Sequence, residues 1–202
     1  MGDNRNRYLM KNTIIFTLGN FGSKLISFFL IPLYTNVLTT TEYGVVDLVV
    51  TVVTVAVPVL TLNISESVMR FALDKDADKQ KITQIGTGVL LIGMLVGLFI
   101  FPICRSFDKI SQYSLYVYLY VIASAASQIY LCDLRGKELL VCYSIGNVLN
   151  TLFIACFNIL FLLVFKEGIR GYLKAYIIAN IFTAIYAIVI GKGYKSLHFS
   201  HI

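Results

Sequence analysis

Residues 28–70 read FFLIPLYTNVLTTTEYGVVDLVVTVVTVAVPVLTLNISESVMR, and this stretch decides the fold. One apolar segment ends close to Pro32, a short polar link follows, and a second apolar segment starts at Gly44. Because the link is too short to form a domain, we expect the two segments to form a helical hairpin. The hairpin carries too few polar side chains for water, so the sequence places it in a lipid bilayer.

The whole chain shares this apolar character. Its mean hydropathy is +0.78, with 57% hydrophobic and 14% charged residues, which lies outside the range of soluble globular proteins. Six apolar segments each have the roughly 20 residues that a helix needs to cross about 30 Å of hydrocarbon. They cover residues 13–33, 44–64, 84–104, 113–133, 140–165 and 172–190. The sequence therefore predicts an all-α integral membrane protein, a single six-transmembrane-helix bundle over residues 1–202.

Basic residues between the segments predict the orientation. With the N-terminus inside, eleven lysines and arginines lie on the cytoplasmic side and five on the outer side, as the positive-inside rule requires. Both termini are therefore expected in the cytoplasm. The net charge of +6 is accounted for by anionic membrane lipids at the inner surface, so nucleic acid is not expected as a partner.

In the first segment the polar residues share one helix face. Thr13, Thr17, Asn20, Lys24 and Ser27 are spaced alternately by four and three residues. Lys24 lies about halfway across the membrane, where an unpaired ammonium is unfavourable by roughly 2.5–3.5 kcal/mol. We favour an interpretation in which this face borders a watery cavity. The alternative is that Lys24 snorkels to the interface or forms a structural pair.

The second segment repeats the pattern. Its polar face consists of Asp47, Thr51, Thr54, Pro58, Thr61 and Ser65. Threonines alone could serve as contacts between helices. Because they share a face with Asp47 and follow a lysine-bearing neighbour, we expect the first two helices to line one polar cavity.

Two further candidates lie outside this hairpin. Arg70 belongs to a predicted short amphipathic helix at the inner interface, with Val68, Phe71 and Ala72 on its apolar side. Arg70 could bind lipid phosphate or face an anionic substrate at the mouth of the bundle, and the pattern does not separate these. Asn147 belongs to the polar face of the fifth segment. That face also carries Ser144, Thr151 and Asn158, with Asn150 beside it.

Catalytic chemistry is not expected. No histidine occurs in the six segments, and the acids within or near them, Asp47, Glu66 and Asp133, do not form a close pair. The four cysteines form no CxxC pair, so neither a zinc site nor a disulfide framework is expected. We therefore predict no enzyme activity, no cofactor and no metal. Polar-faced helices with a few basic groups instead predict a pathway for a polar, anionic solute.

Several stretches resemble one family of membrane proteins. They are LGNFGSKLISFFLIPLYTNVL (18–38), TTTEYGVVDL (39–48), LNISESVMRFALD (62–74), LRGKELLVCYSIGNVLNTLFIACFNILFLLVF (134–165) and GIRGYLKAYIIAN (168–180). In this order they resemble the polysaccharide-type flippases of the multidrug/oligosaccharidyl-lipid/polysaccharide (MOP) exporter superfamily. The resemblance implies translocation of undecaprenyl-pyrophosphate-linked oligosaccharide across the bacterial inner (cytoplasmic) membrane, for surface polysaccharide biosynthesis.

The resemblance also implies an architecture. Its members have two six-helix lobes around a central cavity with cationic side chains, which rock between inward-open and outward-open states on a proton or sodium gradient. Arg70 matches the interfacial arginine of the family, whereas Lys24 is assigned from its helix face alone. The chain has the length of the N-terminal lobe. We therefore expect a truncated or half-length transporter that works with a second lobe or as a homodimer.

Two other functions stay open. A drug/cation antiporter of the same superfamily would need an acid-rich cavity, and Asp47 is the only acid well inside a segment. A non-transporting scaffold or remnant would contact neighbouring glycosyltransferases or a polymerase. For the favoured function, the substrate pathway is predicted to include Asn20, Lys24, Asp47, Thr51, Thr54, Arg70 and Asn147, with membrane lipids around it.

Overall fold

Every regular element in the described part of the chain is helical. A computed structural model describes residues 2–74, 77–104 and 111–191, with side chains at 17, 21–74, 77–99 and 111–191. The elements are α1 (Gly2–Val37), α2 (Thr40–Thr61), α3 (Ile64–Ala72), α4 (Lys79–Cys104), α5 (Ser114–Gly136), α6 (Leu140–Asn158), a π-helical segment (Ile159–Val164) and α7 (Gly168–Ile190). The predicted all-α class is confirmed.

Within the residues that the structure describes, five helical stretches are long and apolar enough to cross a membrane. They are α2, Lys79–Phe99 of α4, α5, Leu140–Val164 and α7. The first predicted span, residues 13–33, lies within α1, but side chains of α1 before residue 21 are described only at Thr17. The count of six spans therefore stays a prediction.

Helices α5 and α7 form the centre of the bundle. Helix α5 packs against α7, α3, α4 and α2, and α7 packs against α6. Small side chains allow these backbones to approach closely. On α7, Ala175, Ala179, Thr183 and Ala187 recur every four residues and are all buried, which confirms the close-packing face that this spacing indicates.

Glycines on α4 let it approach its neighbours. A Cβ on Gly93 would lie 2.8 Å from the carbonyl oxygen of Leu60 in α2, and one on Gly97 would lie 3.1 Å from the Tyr118 ring in α5. Gly88 faces open space instead. The motif GMLVG at residues 93–97 therefore serves helix packing.

Helix α1 does not pack along α2. It lies mainly against α6 and contacts α2 only sparsely, burying Leu30, Tyr34 and Leu38. Helices α1 and α2 are consecutive in the chain and joined by a short link, as predicted, but they separate from each other beyond that link. The two polar faces therefore do not meet through direct packing of α1 on α2, and the shared cavity stays a prediction.

The start of α2 is fixed by a capping box. The Thr39 side chain accepts a hydrogen bond from the backbone N–H of Glu42, and the Glu42 carboxylate accepts one from the backbone N–H of Thr39. These bonds satisfy two amides that lack partners within the helix. The helix begins at Thr40 for this reason, four residues before the apolar segment.

Replacing Thr39 with alanine is expected to destabilise the protein by about 1 kcal/mol, because one end of the capping box is lost. Thermal unfolding followed by circular dichroism in detergent should show a melting temperature lower by about 2–4 °C. Thr41→Ala is the matched control, since Thr41 is exposed and lies just inside the helix. Equal melting temperatures for the two variants would contradict the assignment of the cap.

Helix α3 is short and amphipathic, as the sequence predicts. Val68 and Ala72 are buried, and the helix packs against α5 and α4. Phe71, predicted on the same apolar side, instead stays 62% exposed. A Cβ on Gly136 would lie 2.6 Å from that of Ala72, so this glycine lets the end of α5 approach α3.

Helix α6 changes its hydrogen-bonding pattern after Asn158 and continues as the π-helical segment Ile159–Val164. The buried Asn158 donates its side-chain N–H to the carbonyl of Ile154, one turn earlier, at 2.8 Å. Four rings run along this helix. Phe153, Phe157, Phe161 and Phe165 have successive centroid separations of 6.3, 6.2 and 5.9 Å.

A tight turn joins this segment to α7. Lys166 and Gly168 have φ values of 53° and 56°, in the left-handed region. The sequence indicates both Gly168 and Gly171 as turn residues, but Gly171 lies inside α7. There it faces Phe161 across a close contact, with a Cβ position 3.0 Å from that side chain.

Candidate substrate pathway

Four of the six residues predicted for the polar face of the second segment turn away from the bundle core, whereas Thr61 and Ser65 are buried, so the predicted face is wrong beyond Pro58. Val46, Val49, Val53 and Val57 form the buried stripe of α2. Asp47, Thr51, Thr54 and Pro58, which we call the α2 polar stripe, are exposed on an adjacent side. Each follows a buried valine by one or two residues, so at about 100° per residue the stripe lies roughly a quarter turn or more from the core.

The threonines of this stripe satisfy their own donors. The Thr51 hydroxyl donates to the carbonyl of Asp47 at 2.9 Å, and that of Thr54 to the carbonyl of Val50 at 2.8 Å. Their oxygens remain available as acceptors. The Asp47 carboxylate makes no hydrogen bond or ion pair with the described side chains. The α2 polar stripe therefore presents a row of acceptor oxygens to its surroundings.

Helix α1 has a comparable exposed polar side. Thr17, Lys24 and Ser27 are exposed, and the Ser27 hydroxyl donates to the carbonyl of Ser23 at 3.0 Å. The Lys24 ammonium forms no ion pair within the described part of the chain. Asn20 lies in α1, but its side chain is outside the described residues.

Lys24 and Asp47 are not brought together by the fold of this chain. Since α1 packs on α6 while α2 packs on α4, α5 and α7, the two polar sides belong to helices that diverge. Both sides are nevertheless turned away from the packed core. A shared chamber would need further protein to close over them.

Arg70 and Asn147 are placed elsewhere. Arg70 is exposed in the last turn of α3 and forms no ion pair with the described side chains. Asn147 is half-buried on α6 and donates to the carbonyl of Tyr143 in its own helix at 3.1 Å. The structure thus provides an exposed cation at Arg70 and a locally satisfied amide at Asn147.

Other polar residues turn inward and join helices. The Ser127 hydroxyl of α5 lies 2.7 Å from the Asn180 side-chain oxygen of α7 and 3.0 Å from the carbonyl oxygen of Ser124, and its single proton can be donated to either acceptor. Asn150 of α6 reaches the same Asn180 oxygen at 3.4 Å. This cluster links the three helices; Ser127 and Asn180 are buried, and Asn150 is half-buried.

A buried ion pair that the hydropathy pattern does not reveal lies at one end of the bundle. Asp133 of α5 is 1% exposed. Its carboxylate accepts from the Thr83 hydroxyl of α4 at 2.7 Å and from the Lys137 ammonium at 2.6 Å. Lys137 also donates to the carbonyl of Gly191, just after α7, at 3.0 Å. These bonds connect α4, α5 and α7.

Tyrosines form a second interior cluster. The Tyr34 ring of α1 lies 5.1 Å from that of Tyr172, which stacks on Tyr176 at 4.6 Å, and Tyr120 of α5 lies 5.3 Å from Tyr176. These contacts are in the range of favourable aromatic pairs. They attach α1 to the centre of the bundle.

Comparison with known proteins identifies the family. The chain matches the family described as polysaccharide biosynthesis protein over residues 9–201. No curated protein and no solved structure gives a match. The helical architecture, with five stretches able to cross a membrane, agrees with this assignment. The chain is therefore a multi-pass membrane protein that belongs to the polysaccharide biosynthesis family of the MOP flippases, the family that its motifs resemble.

Proposed function

We propose that this chain takes part in moving a lipid-linked oligosaccharide, carried on undecaprenyl pyrophosphate, across the bacterial inner membrane. The observation that carries the proposal is the α2 polar stripe. A carboxylate and threonine oxygens on the outside of a highly apolar helix are unfavourable against acyl chains; the cost is about 2.5–3.5 kcal/mol for an aspartate at mid-membrane and smaller for Asp47, which lies three residues inside the predicted span. They are stable where that side of the helix borders a water-filled space.

The chemistry of this space suits a sugar carrier. Sugar hydroxyls donate hydrogen bonds, and Asp47, Thr51 and Thr54 supply acceptors. Lys24 and Arg70 supply cations for the pyrophosphate and for acidic sugars. The proposed activity is transport without a covalent step, with both chain termini in the cytoplasm.

A second wall is required. Because the polar sides of α1 and α2 face away from this bundle, we infer that a second lobe or a second copy of the chain covers them. Rocking of this helix bundle against the second lobe or second copy would open the space between them to each side of the membrane in turn. Glycosyltransferases or a polymerase of the same biosynthetic route are further proposed neighbours.

The test measures surface polysaccharide in cells that lack the gene and carry the full chain or a variant. Lys24→Ala and Asp47→Asn are expected to lower polysaccharide on the order of tenfold at equal membrane abundance, because hydrogen bonds to charged groups contribute about 1.5–3 kcal/mol. Thr54→Leu removes a neutral acceptor, which contributes about 0.5–1.5 kcal/mol, so a smaller loss of severalfold is expected. Lys24→Arg should restore most of the function. Lipid-linked oligosaccharide should accumulate on the cytoplasmic side.

Neighbouring exposed positions give matched controls. Leu25→Ala on α1 and Val55→Leu on α2 change exposed apolar residues next to Lys24 and Thr54, and we expect wild-type polysaccharide from both. Normal polysaccharide in the Lys24 and Asp47 variants would refute the pathway. Loss of cation efflux in the Asp47 variant, with polysaccharide unchanged, would favour the antiporter. If polysaccharide synthesis in cells required the chain but the purified chain moved no lipid-linked oligosaccharide across liposome membranes, the scaffold function would be favoured.

A further inference from the structure

A groove of about 430 Å³ lies between α3 and the beginning of α4. Its size is within the range of ligand sites in proteins. Phe71 of α3 and Ile82 and Ile85 of α4 contribute to an apolar lining. Asp74, Asp78 and Lys81 lie at the charged part of the groove. The surface of the groove is therefore mainly apolar, with these three charged residues among those that line it, and the groove is separate from the α2 polar stripe.

The exposed side chains around the groove indicate its position relative to the bilayer. Phe71 is 62% and Ile85 59% exposed, and the nearby Leu62 and Leu73 are exposed as well. Such side chains are stable against hydrocarbon, whereas the neighbouring carboxylates and ammonium need the hydrated head-group layer. The groove thus crosses the boundary between these two layers. A molecule bound in the groove must therefore have an apolar part that lies in the hydrocarbon and a polar part that lies in the head-group layer.

The charges restrict the head group of that occupant. One Asp78 oxygen accepts from the backbone N–H groups of Gln80 and Lys81 at 3.1 and 3.2 Å, and the other lies 3.8 Å from the Lys81 ammonium. Asp74 forms no hydrogen bond or ion pair with the described side chains. Among the described residues that line the groove, two carboxylates and one ammonium leave a net negative charge, which repels a pyrophosphate or a net-anionic head group. They suit a head group that carries a cation and an anion together.

We propose that the groove binds one phospholipid with a primary-amine head group, of the phosphatidylethanolamine class. Its ammonium donates to Asp74 and Asp78, its phosphate pairs with Lys81, and one hydrocarbon chain lies along Phe71, Ile82 and Ile85. A primary ammonium has three N–H donors for the two carboxylates. A trimethylated choline head has none, so it should bind less well. This proposal does not depend on the proposed transport function.

The test uses the full chain in detergent, with native mass spectrometry to count retained lipid. We expect phosphatidylethanolamine to be retained about tenfold more tightly than phosphatidylcholine or phosphatidylglycerol. The head groups of the other two lipids have no ammonium N–H groups, so they cannot donate charge-assisted hydrogen bonds to the carboxylates. Asp74→Asn should remove most of this preference. Ser67→Phe, which places a ring in the groove, should lower retention of all three lipids.

Two variants control for charge and bulk. Glu138→Gln removes an exposed acid from the turn between α5 and α6, and Gly88→Phe adds a ring to α4 where a Cβ meets nothing within 4 Å. Both should retain phosphatidylethanolamine like the wild type, and circular dichroism checks that every variant is folded.

Three results would overturn the proposal. One is equal retention of the three lipids, or a preference for phosphatidylglycerol. Another is wild-type retention by a folded Ser67→Phe variant. The third is displacement of the bound lipid by a polyprenyl diphosphate, which would assign the groove to a transport substrate instead of a resident phospholipid.

Discussion

Replacing Asp133 with alanine is expected to destabilise the folded protein by about 3–5 kcal/mol, because removing one partner of a buried ion pair leaves the other charge without compensation. The Asp133 carboxylate holds the Lys137 ammonium at 2.6 Å and the Thr83 hydroxyl at 2.7 Å. Its loss weakens the connection between α4, α5 and the end of α7. Thermal unfolding in detergent should show a melting temperature lower by roughly 6–20 °C.

A double substitution separates the charge effect from a general loss of packing. In Asp133→Val with Lys137→Met both charges are gone, and replacing a buried pair by apolar residues is often neutral. We expect the double variant to recover more than half of the stability lost in Asp133→Ala. Lys81→Met is the surface control, since its pair with Asp78 at 3.8 Å is exposed and should contribute about 0–1 kcal/mol. Losses that simply add in the double variant would contradict the ion-pair explanation.

Replacing Gly93 with leucine is the second change with a large expected effect. Its Cβ would lie 2.8 Å from the Leu60 carbonyl oxygen, which is backbone and cannot move without displacing α2. Overpacking generally destabilises by about 1–3 kcal/mol and occasionally more, and we expect the upper part of that range. Circular dichroism in detergent measures the shift in melting temperature.

Gly88→Leu gives the matched control on the same helix. A side chain at Gly88 meets open space, and leucine favours the helix over glycine by up to about 1 kcal/mol. This variant should therefore be neutral or slightly stabilised. If both leucine variants melted at the same temperature, the close approach of α2 and α4 at Gly93 would be refuted.

Hydropathy predicted the helical class, but it placed several helix ends wrongly. The apolar segment at residue 44 misses the first turn of α2, which the polar capping box at Thr39 and Glu42 begins. The apolar segment that was predicted to end at residue 133 also stops too early, because α5 continues to Gly136. The predicted boundary separates Asp133 from Lys137, four residues later. Their i,i+4 spacing was the signal that could have identified the pair.

The sequence predicted the exposed part of the α2 polar face correctly, but it did not predict that Thr61 and Ser65 are buried or which helices pack against α1 and α2. Periodicity alone placed Asp47, Thr51 and Thr54 on one side of α2, and the structure exposes that side. Periodicity carries no information on which helix packs on which. The attachment of α1 to α6 depends on long-range packing, including the contact between Tyr34 and Tyr172, and no local spacing predicts it.

The π-helical segment Ile159–Val164 has a mechanical consequence for the row of phenylalanines. In an α-helix, residues four apart drift around the axis by about 40° per step, so three steps would carry Phe165 about 120° away from Phe153. A π turn holds more residues, so the same spacing falls short of a full turn and the drift reverses. The row stays aligned because of this compensation. If the segment adopted α-helical geometry, the one extra residue of the π turn would rotate the following chain by about 100° around the helix axis. This short segment therefore sets the angle between α6 and the link to α7.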